Sequence, residues 1–98
     1  MNEYAEALYA AILAICDGME VNRSEKQAKD NVYRSIKGIV AHYKDLAKEA
    51  NPNESPTKDQ ILIHQLGATV TKSPMTDALT AKEYIDYIKD VTTAIMRR

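Results

Sequence analysis

The sequence predicts an all-α fold, a small antiparallel bundle of about four helices in a single domain spanning residues 1–98. Three observations lead to this prediction. Apolar residues recur at helical spacing in several segments, helix-capping motifs stand before them, and glycine and proline are scarce, at three residues each. A chain of 98 residues supports one modest hydrophobic core and is too short for two.

The first helix is predicted over residues 2–17, and Gly18 is expected to end it in the left-handed conformation. Residues 7–16 carry no charge on any side. Such a helix is either enclosed by its neighbours or gives one face to a partner. If it gives a face to a partner, the partner-binding residues are expected among Tyr4, Leu8, Tyr9 and Ile12.

The second helix is predicted over residues 25–50, opened by a capping box between Ser24 and Gln27 and stopped before Pro52. Its apolar residues occupy about a third of the circumference, as expected of a helix with one core-facing stripe. Gly38 falls on the opposite side, toward solvent.

The third helix is predicted over residues 56–71. Two starts are open, because a serine and a proline at 55–56 suit a helix start, while Thr57 and Gln60 offer a capping box slightly later. Residues 67–73 contain a glycine and three β-branched side chains. That stretch is therefore compatible with either a helix or an extended segment.

A short turn of helix is predicted near residues 74–79, followed by a fourth helix over residues 81–96. Thr80 and Glu83 form a capping box in front of this helix, which is the strongest local signal in the chain. Its apolar residues recur at spacings of three and four, as expected for one buried seam. Short connections between the helices favour antiparallel neighbours.

The amino-acid composition indicates the expected cellular compartment and excludes some classes of binding partner. The single cysteine, Cys16, permits neither an intrachain disulfide nor a thiolate metal cluster, and its apolar helix predicts a buried structural thiol. The apolar segment 7–16 is about half the length of a membrane span, and the residues before it are acidic rather than basic. We expect a cytoplasmic protein without membrane association. The net charge of −1 excludes a general nucleic-acid binder.

The sequence contains no recognisable catalytic constellation. Cys16 has no histidine near it in the chain, His42 and His64 are single, and the glycines are too scattered for a phosphate-binding loop. We therefore predict a protein that is not an enzyme and that holds no cofactor and no metal.

Two carboxylate pairs carry one resemblance to an enzyme family. Glu3 with Glu6, and Glu83 with Asp86, are spaced to share a helix face. They resemble the signatures of all-α nucleoside triphosphate pyrophosphohydrolases, and the resemblance implies Mg²⁺-dependent hydrolysis of a nucleotide. The chain departs from that family because residues 7–82 separate the two pairs, a much longer interval than the family has.

A basic stripe on the second helix is the other candidate site. Its residues fall within roughly 100° of arc: Lys26, Lys29, Tyr33, Lys37, Lys44 and Lys48. Lysines around a tyrosine could bind phosphates while the ring stacks on a base, or could meet an acidic protein. An ordinary solvated helix face is also compatible with this pattern.

The leading functional hypothesis is a small non-enzymatic protein that binds another macromolecule, as an inhibitor, immunity protein, adaptor or assembly subunit of phage or plasmid origin. In length and helical plan the chain resembles bacteriocin immunity proteins, although no motif matches. A homodimer through the first helix is expected. The alternative is binding of nucleic acid or a phosphate-bearing ligand along the Lys26–Lys48 stripe, and the pyrophosphohydrolase comes third.

Overall fold

The computed structural model describes residues 2–19, 24–53, 56–72 and 79–97. These residues contain four helices and no strand: α1 (Glu3–Asp17), α2 (Glu25–Ala50), α3 (Lys58–Lys72) and α4 (Ala81–Met96). The predicted all-α bundle is confirmed, with helix bounds within two residues of those expected. The short turn of helix predicted near 74–79 lies outside the described residues except for Leu79, which is not helical.

Neighbouring helices run antiparallel, as the short connections predicted. Glu6, near the start of α1, pairs with Arg97 just after α4. Asp17, at the end of α1, pairs with Lys89 further back in α4, so these two helices run antiparallel. The side-chain amide of Gln60 approaches the carbonyl of Ala47 at 3.5 Å, so α3 begins where α2 ends. Each helix contacts the other three. The result is an up-down bundle measuring 45 × 24 × 19 Å.

Helix α1 packs into the centre of the core, so the prediction that Leu8, Tyr9 and Ile12 face outward is wrong. Leu8 and Ile12 are fully buried, Tyr9 is 8% exposed, and Tyr4 is half-buried against the same core. A helix that is apolar on every side gives no periodic signal for which face turns inward. Because α1 packs against all three other helices, its large side chains are buried or half-buried, and its fully exposed residues are small or charged.

Local capping motifs begin three of the helices. At α4, Thr80 and Glu83 exchange both bonds of the predicted capping box. At α3, Thr57 and Gln60 form the same arrangement, with bonds of 2.8 and 3.1 Å. The later of the two predicted starts is therefore the real one, because both backbone amides find a side-chain acceptor there.

At α2, the capping interaction is simpler. Ser24 accepts a hydrogen bond from the backbone amide of Gln27 at 3.2 Å. This satisfies one of the amides that the first turn of a helix leaves without an intrahelical partner.

Side chains distant in sequence hold the start of α1 and add a bond at the start of α4. The N-cap residue of α1, Asn2, makes no side-chain capping bond, and Asp59 of α3 caps α1 in its place. At the opposite end of the bundle, Glu25 of α2 accepts a hydrogen bond from the amide of Ala81, the first residue of α4. A tertiary contact thus replaces the local cap at α1 and reinforces it at α4.

Helix α3 remains helical through Lys72, so residues 67–72 of the open stretch 67–73 are helical, and residue 73 lies outside the described residues. Gly67 packs so closely on α2 that a Cβ atom built there would lie 2.8 Å from Val40 Cγ1. Burial of Val70, which is 2% exposed, adds packing energy that outweighs the poor helix propensity of this stretch. Gly18 also differs from expectation, since it ends α1 with a negative φ of −88° rather than in the left-handed conformation.

Candidate functional site

A long groove runs between α2 and α3 on the outside of the bundle. It consists of two adjoining clefts of about 570 and 440 Å³, which share Lys44 and His64. We call it the α2–α3 groove. Its lining comprises Lys37, Val40, Ala41, Lys44, Ala47, Lys48, Asn51 and Pro52 from α2 and the turn after it, and Pro56, Gln60, Ile61, Ile63, His64, Gly67, Ala68, Val70 and Thr71 from the α3 side.

The floor of the α2–α3 groove is apolar because it is the edge of the hydrophobic core. Val40, Ala47 and Ile63 contribute buried side chains to it. Gly67 brings the two helix backbones together in the middle of the groove. Ile61 stands at the side of the groove and leaves 47% of its surface exposed, so an apolar ligand would cover both floor and wall.

Lysines form the α2 side of this groove. Lys37, Lys44 and Lys48 are all exposed, and within the described ranges none of them forms an ion pair. Among the residues that the structure describes, no aspartate or glutamate belongs to the lining. Asp45 and Glu49 each follow a groove lysine in the chain, and therefore project about 100° further round α2. The groove is thus a locally cationic surface on a protein whose net charge is −1.

Between its terminal residues, α3 carries an uncharged stretch. From residue 60 to residue 71 the chain contains no Asp, Glu, Lys or Arg, although several of these positions are exposed, including Ile61, His64 and Gln65. A second cleft, between α3 and α4, continues this uncharged surface through Tyr87, which is 40% exposed. Depletion of charge is typical of the centre of a protein–protein interface.

The structure brings together only part of the basic stripe predicted from the sequence. Lys37, Lys44 and Lys48 share the α2–α3 groove. Lys26 is exposed at the start of α2, outside the lining, and Tyr33 is half-buried against the core. Neither contributes to the groove.

Lys29 is the one lysine of the stripe that is buried in the structure. It is 4% exposed, and its ammonium donates a hydrogen bond of 2.8 Å to the carbonyl of Leu79. Its position on α2 lies only about 20° from that of Ile36, in the middle of the core-facing stripe. The prediction that Lys29 lies on the surface facing an anionic partner is therefore wrong, since its ammonium is buried beside the Leu79 carbonyl.

The two carboxylate pairs do not form a common site. Glu6 pairs with Arg97 at the end of α4, at 3.1 Å, whereas Asp86 pairs with Lys82 in the first turns of α4, at 3.0 Å. Arg97 and Asp86 are separated by roughly 16 Å along the helix axis. Two carboxylate pairs at that separation cannot bind one Mg²⁺ ion, so the geometry does not support the pyrophosphohydrolase resemblance.

The remaining reactive side chains are used structurally. Cys16 is buried, and burial raises the pKa of its thiol to about 11, so the thiolate needed for nucleophilic chemistry is scarce at neutral pH. Hydrogen bonds from Thr80 lower the pKa of Glu83, which occupies the capping box. Among the described residues, no three His, Cys, Asp or Glu side chains are grouped to hold a metal ion.

Ile61 and His64 are the site residues that the sequence analysis did not single out. Their signal was present in the chain, because a run of uncharged residues from 60 to 71 is conspicuous where 28% of all residues are charged. That they line the same groove as Lys44 depends on which faces of α2 and α3 meet, and the sequence alone does not give this tertiary arrangement.

The fold and site together define a four-helix bundle with a lysine-edged groove over an apolar floor. Comparison with known proteins found no matching protein family, no similar curated protein and no similar solved structure. None of the helices in the described part of the chain has the length and apolar character needed to cross a membrane.

Proposed function

We propose that this protein works without catalysis, by binding another protein through the α2–α3 groove and the exposed side chains of the uncharged stretch 60–71 on α3. One observation carries the proposal. Residues 60–71 lie on an exposed helix and contain no charge, and a solvated helix face normally carries charged or strongly polar residues. An inhibitor, immunity protein, adaptor or assembly subunit would use such a surface in the same way.

The chemistry of the groove favours protein over nucleic acid. Ile61, Ala41 and Pro52 leave apolar surface exposed in the groove, and a protein partner gains free energy by removing that surface from water. Proteins that bind single strands use aromatic rings on which bases stack, and the groove lining contains none of the six tyrosines. Nucleic-acid binding by the lysines is therefore the competing outcome in the tests below.

The proposed surface replaces α1 as the partner-binding element. A second copy of the chain is one protein that could occupy it, which would retain the expected homodimer through different helices. We propose that this binding takes place in the cytoplasm. Sedimentation velocity over a range of concentrations distinguishes self-association from binding of a different protein.

Site-specific photo-crosslinking in the cells that produce the protein tests the proposal. A photoreactive amino acid replaces Ile61 or His64 in the groove, and Ala10, an exposed residue of α1, serves as the matched control. We expect one discrete protein adduct from both groove positions and none from position 10. The partner is then identified by mass spectrometry and purified, and its affinity is measured for the wild-type chain and for the folded variant Ile61→Asp.

Loss of affinity in Ile61→Asp, with an unchanged circular dichroism spectrum, would support the proposal. Adducts of the same pattern from Ala10, or a purified partner that binds Ile61→Asp as tightly as wild type, would refute it. Adducts made of RNA or DNA would replace it by the nucleic-acid alternative.

A further inference from the structure

We propose that the occupant of the α2–α3 groove is an acidic amphipathic helix of a partner protein. Its apolar face would cover the groove floor, and its carboxylates would meet Lys37, Lys44 and Lys48. This inference rests on the proposed function and names the chemical class of the partner.

The positions of the lysines carry the argument. They stand seven and four residues apart on one side of α2, so they are separated by about 10 Å and about 6 Å along the helix axis. Any helix lying alongside α2 has the same rise per residue. A parallel ligand helix therefore matches all three lysines when its carboxylates stand at i, i+7 and i+11, and an antiparallel one at i, i+4 and i+11.

The electrostatics of the groove also suit a carboxylate ligand. No acid of the described residues belongs to its lining, so an arriving carboxylate meets lysines there and no like charge from that part of the chain. Within the described part of the chain, Lys37, Lys44 and Lys48 have no ion pairs to lose on binding. Complementary charge of this kind accelerates association and selects the partner more than it raises affinity.

The apolar floor sets the remaining requirement on the ligand. Val40, Ala47 and Gly67 present small apolar surfaces, and Ile61 forms a wall that is 47% exposed. From Lys37 to Asn51 the groove extends about 21 Å, the length of a helix of about four turns. Leucine-sized side chains at i, i+3 and i+7 on such a helix would lie along this floor, which is the usual mode of helix-in-groove recognition.

A designed peptide tests this inference directly. The probe is a labelled helical peptide of about 18 residues with glutamates at i, i+4 and i+11 and leucines on the adjoining face. A second peptide carries the parallel spacing, and a scrambled peptide has the same composition. Fluorescence anisotropy measures the affinity of each for the intact protein at low and at moderate salt.

Matched variants of α2 provide the specificity control. We expect Lys44→Glu to weaken peptide binding about tenfold or more, because it places a carboxylate in the middle of the groove. Lys26→Glu makes the same charge change on the same helix but outside the groove, and we expect less than a twofold effect. A peptide with lysines in place of the glutamates should bind Lys44→Glu better than it binds the wild type.

The outcomes separate this inference from the proposed function. Equal binding of the scrambled peptide, or equal losses from Lys26→Glu and Lys44→Glu, would overturn the acidic-helix inference. Tighter binding of a single-stranded oligonucleotide than of any peptide would overturn it in favour of a phosphate ligand. If Ile61 crosslinks to a partner and no acidic peptide binds, this inference fails alone; if neither occurs, the proposed function fails with it.

Discussion

The carboxylate of Asp59, on α3, accepts a hydrogen bond of 2.7 Å from the backbone amide of Ala5, in the first turn of α1. It accepts a second bond from the amide of Tyr4 at 3.2 Å. Asp59 is only 8% exposed, so its charge lies at the positive end of the α1 dipole with little solvent between them. A residue far away in sequence thereby does the work of an N-cap.

We predict that Asp59→Ala lowers the free energy of unfolding by about 1–2 kcal/mol, because it leaves two first-turn amides without their acceptor. Asp59→Asn should cost less, since an amide oxygen can still accept. The control is Asn2→Ala at the N-cap position itself, which makes no side-chain capping bond and should change stability by less than about 0.5 kcal/mol. Urea denaturation measures all three, and a larger effect from Asn2→Ala would contradict the assignment.

We predict that Gly38→Ala and Gly67→Ala have opposite effects on the stability of the protein. Gly38→Ala should stabilise the protein by about 0.5–1 kcal/mol, since alanine is the better helix former and no heavy atom lies within 4 Å of the added Cβ. Gly67→Ala should destabilise it by about 1–3 kcal/mol through overpacking, because its Cβ would lie 2.8 Å from Val40 Cγ1.

Thermal denaturation of both glycine variants tests the close approach of α2 and α3. In a Val40→Ala background the clash is absent, so Gly67→Ala should then become neutral or stabilising. If the penalty at Gly67 persisted in that background, it would have a cause other than contact with Val40.

We predict that removal of the Tyr84 hydroxyl and removal of the Tyr9 hydroxyl change the stability of the protein differently. The hydroxyl of Tyr84 is buried and has no hydrogen-bond partner among the described residues, so Tyr84→Phe should be neutral or stabilising. Tyr9 shares a 2.7 Å hydrogen bond with Thr93, and Tyr9→Phe should cost about 0.5–1.5 kcal/mol. Phenylalanine at position 9 keeps the ring beneath the Arg97 guanidinium. Chemical denaturation would reject this distinction if Tyr84→Phe were the more damaging change.

Stability is predicted to fall in alkaline solution because buried acids resist ionisation. Burial raises the pKa of Cys16 from 9.0 to about 11 and that of Tyr84 from 10.0 to about 12. Between pH 9 and pH 11 the unfolded chain releases the Cys16 proton while the folded chain keeps it, so the folded state binds more protons. Stability therefore decreases as pH rises, by at most about 1.4 kcal/mol per pH unit for each group.

Denaturation midpoints measured between pH 8 and pH 11 test this dependence. Cys16→Ala should be less stable at neutral pH because it loses packing, yet its stability should fall less steeply above pH 9. A slope identical to that of the wild type would show that the thiol is not the titrating group.

Local sequence patterns predicted the helices well. The boxes at Thr57–Gln60 and Thr80–Glu83 depend only on residues three apart in the chain, and both form as expected. The start of α2 at Ser24 is local in the same way. These helix starts can be predicted from the sequence because the capping bonds join residues within one helical turn.

The site was less predictable, because it depends on how helices face each other. On a helix that is apolar all round, the sequence does not indicate which face is buried. In the structure, Leu8 and Ile12 are on the buried face. Lys29 belongs to the same predicted stripe as the groove lysines, yet it is buried and donates a hydrogen bond to the carbonyl of Leu79. The caps provided by Asp59 and Glu25 join distant segments, and a single sequence gives no spacing rule for such contacts.

The buried position of Cys16 makes the groove convenient to label. Its thiol is 3% exposed and holds its proton at neutral pH, so thiol-reactive dyes should leave the native protein unmodified. A cysteine introduced at His64, an exposed position in the groove, would then react alone. A single environment-sensitive fluorophore placed there would report every ligand that enters the groove, without any need to remove the natural thiol from the core.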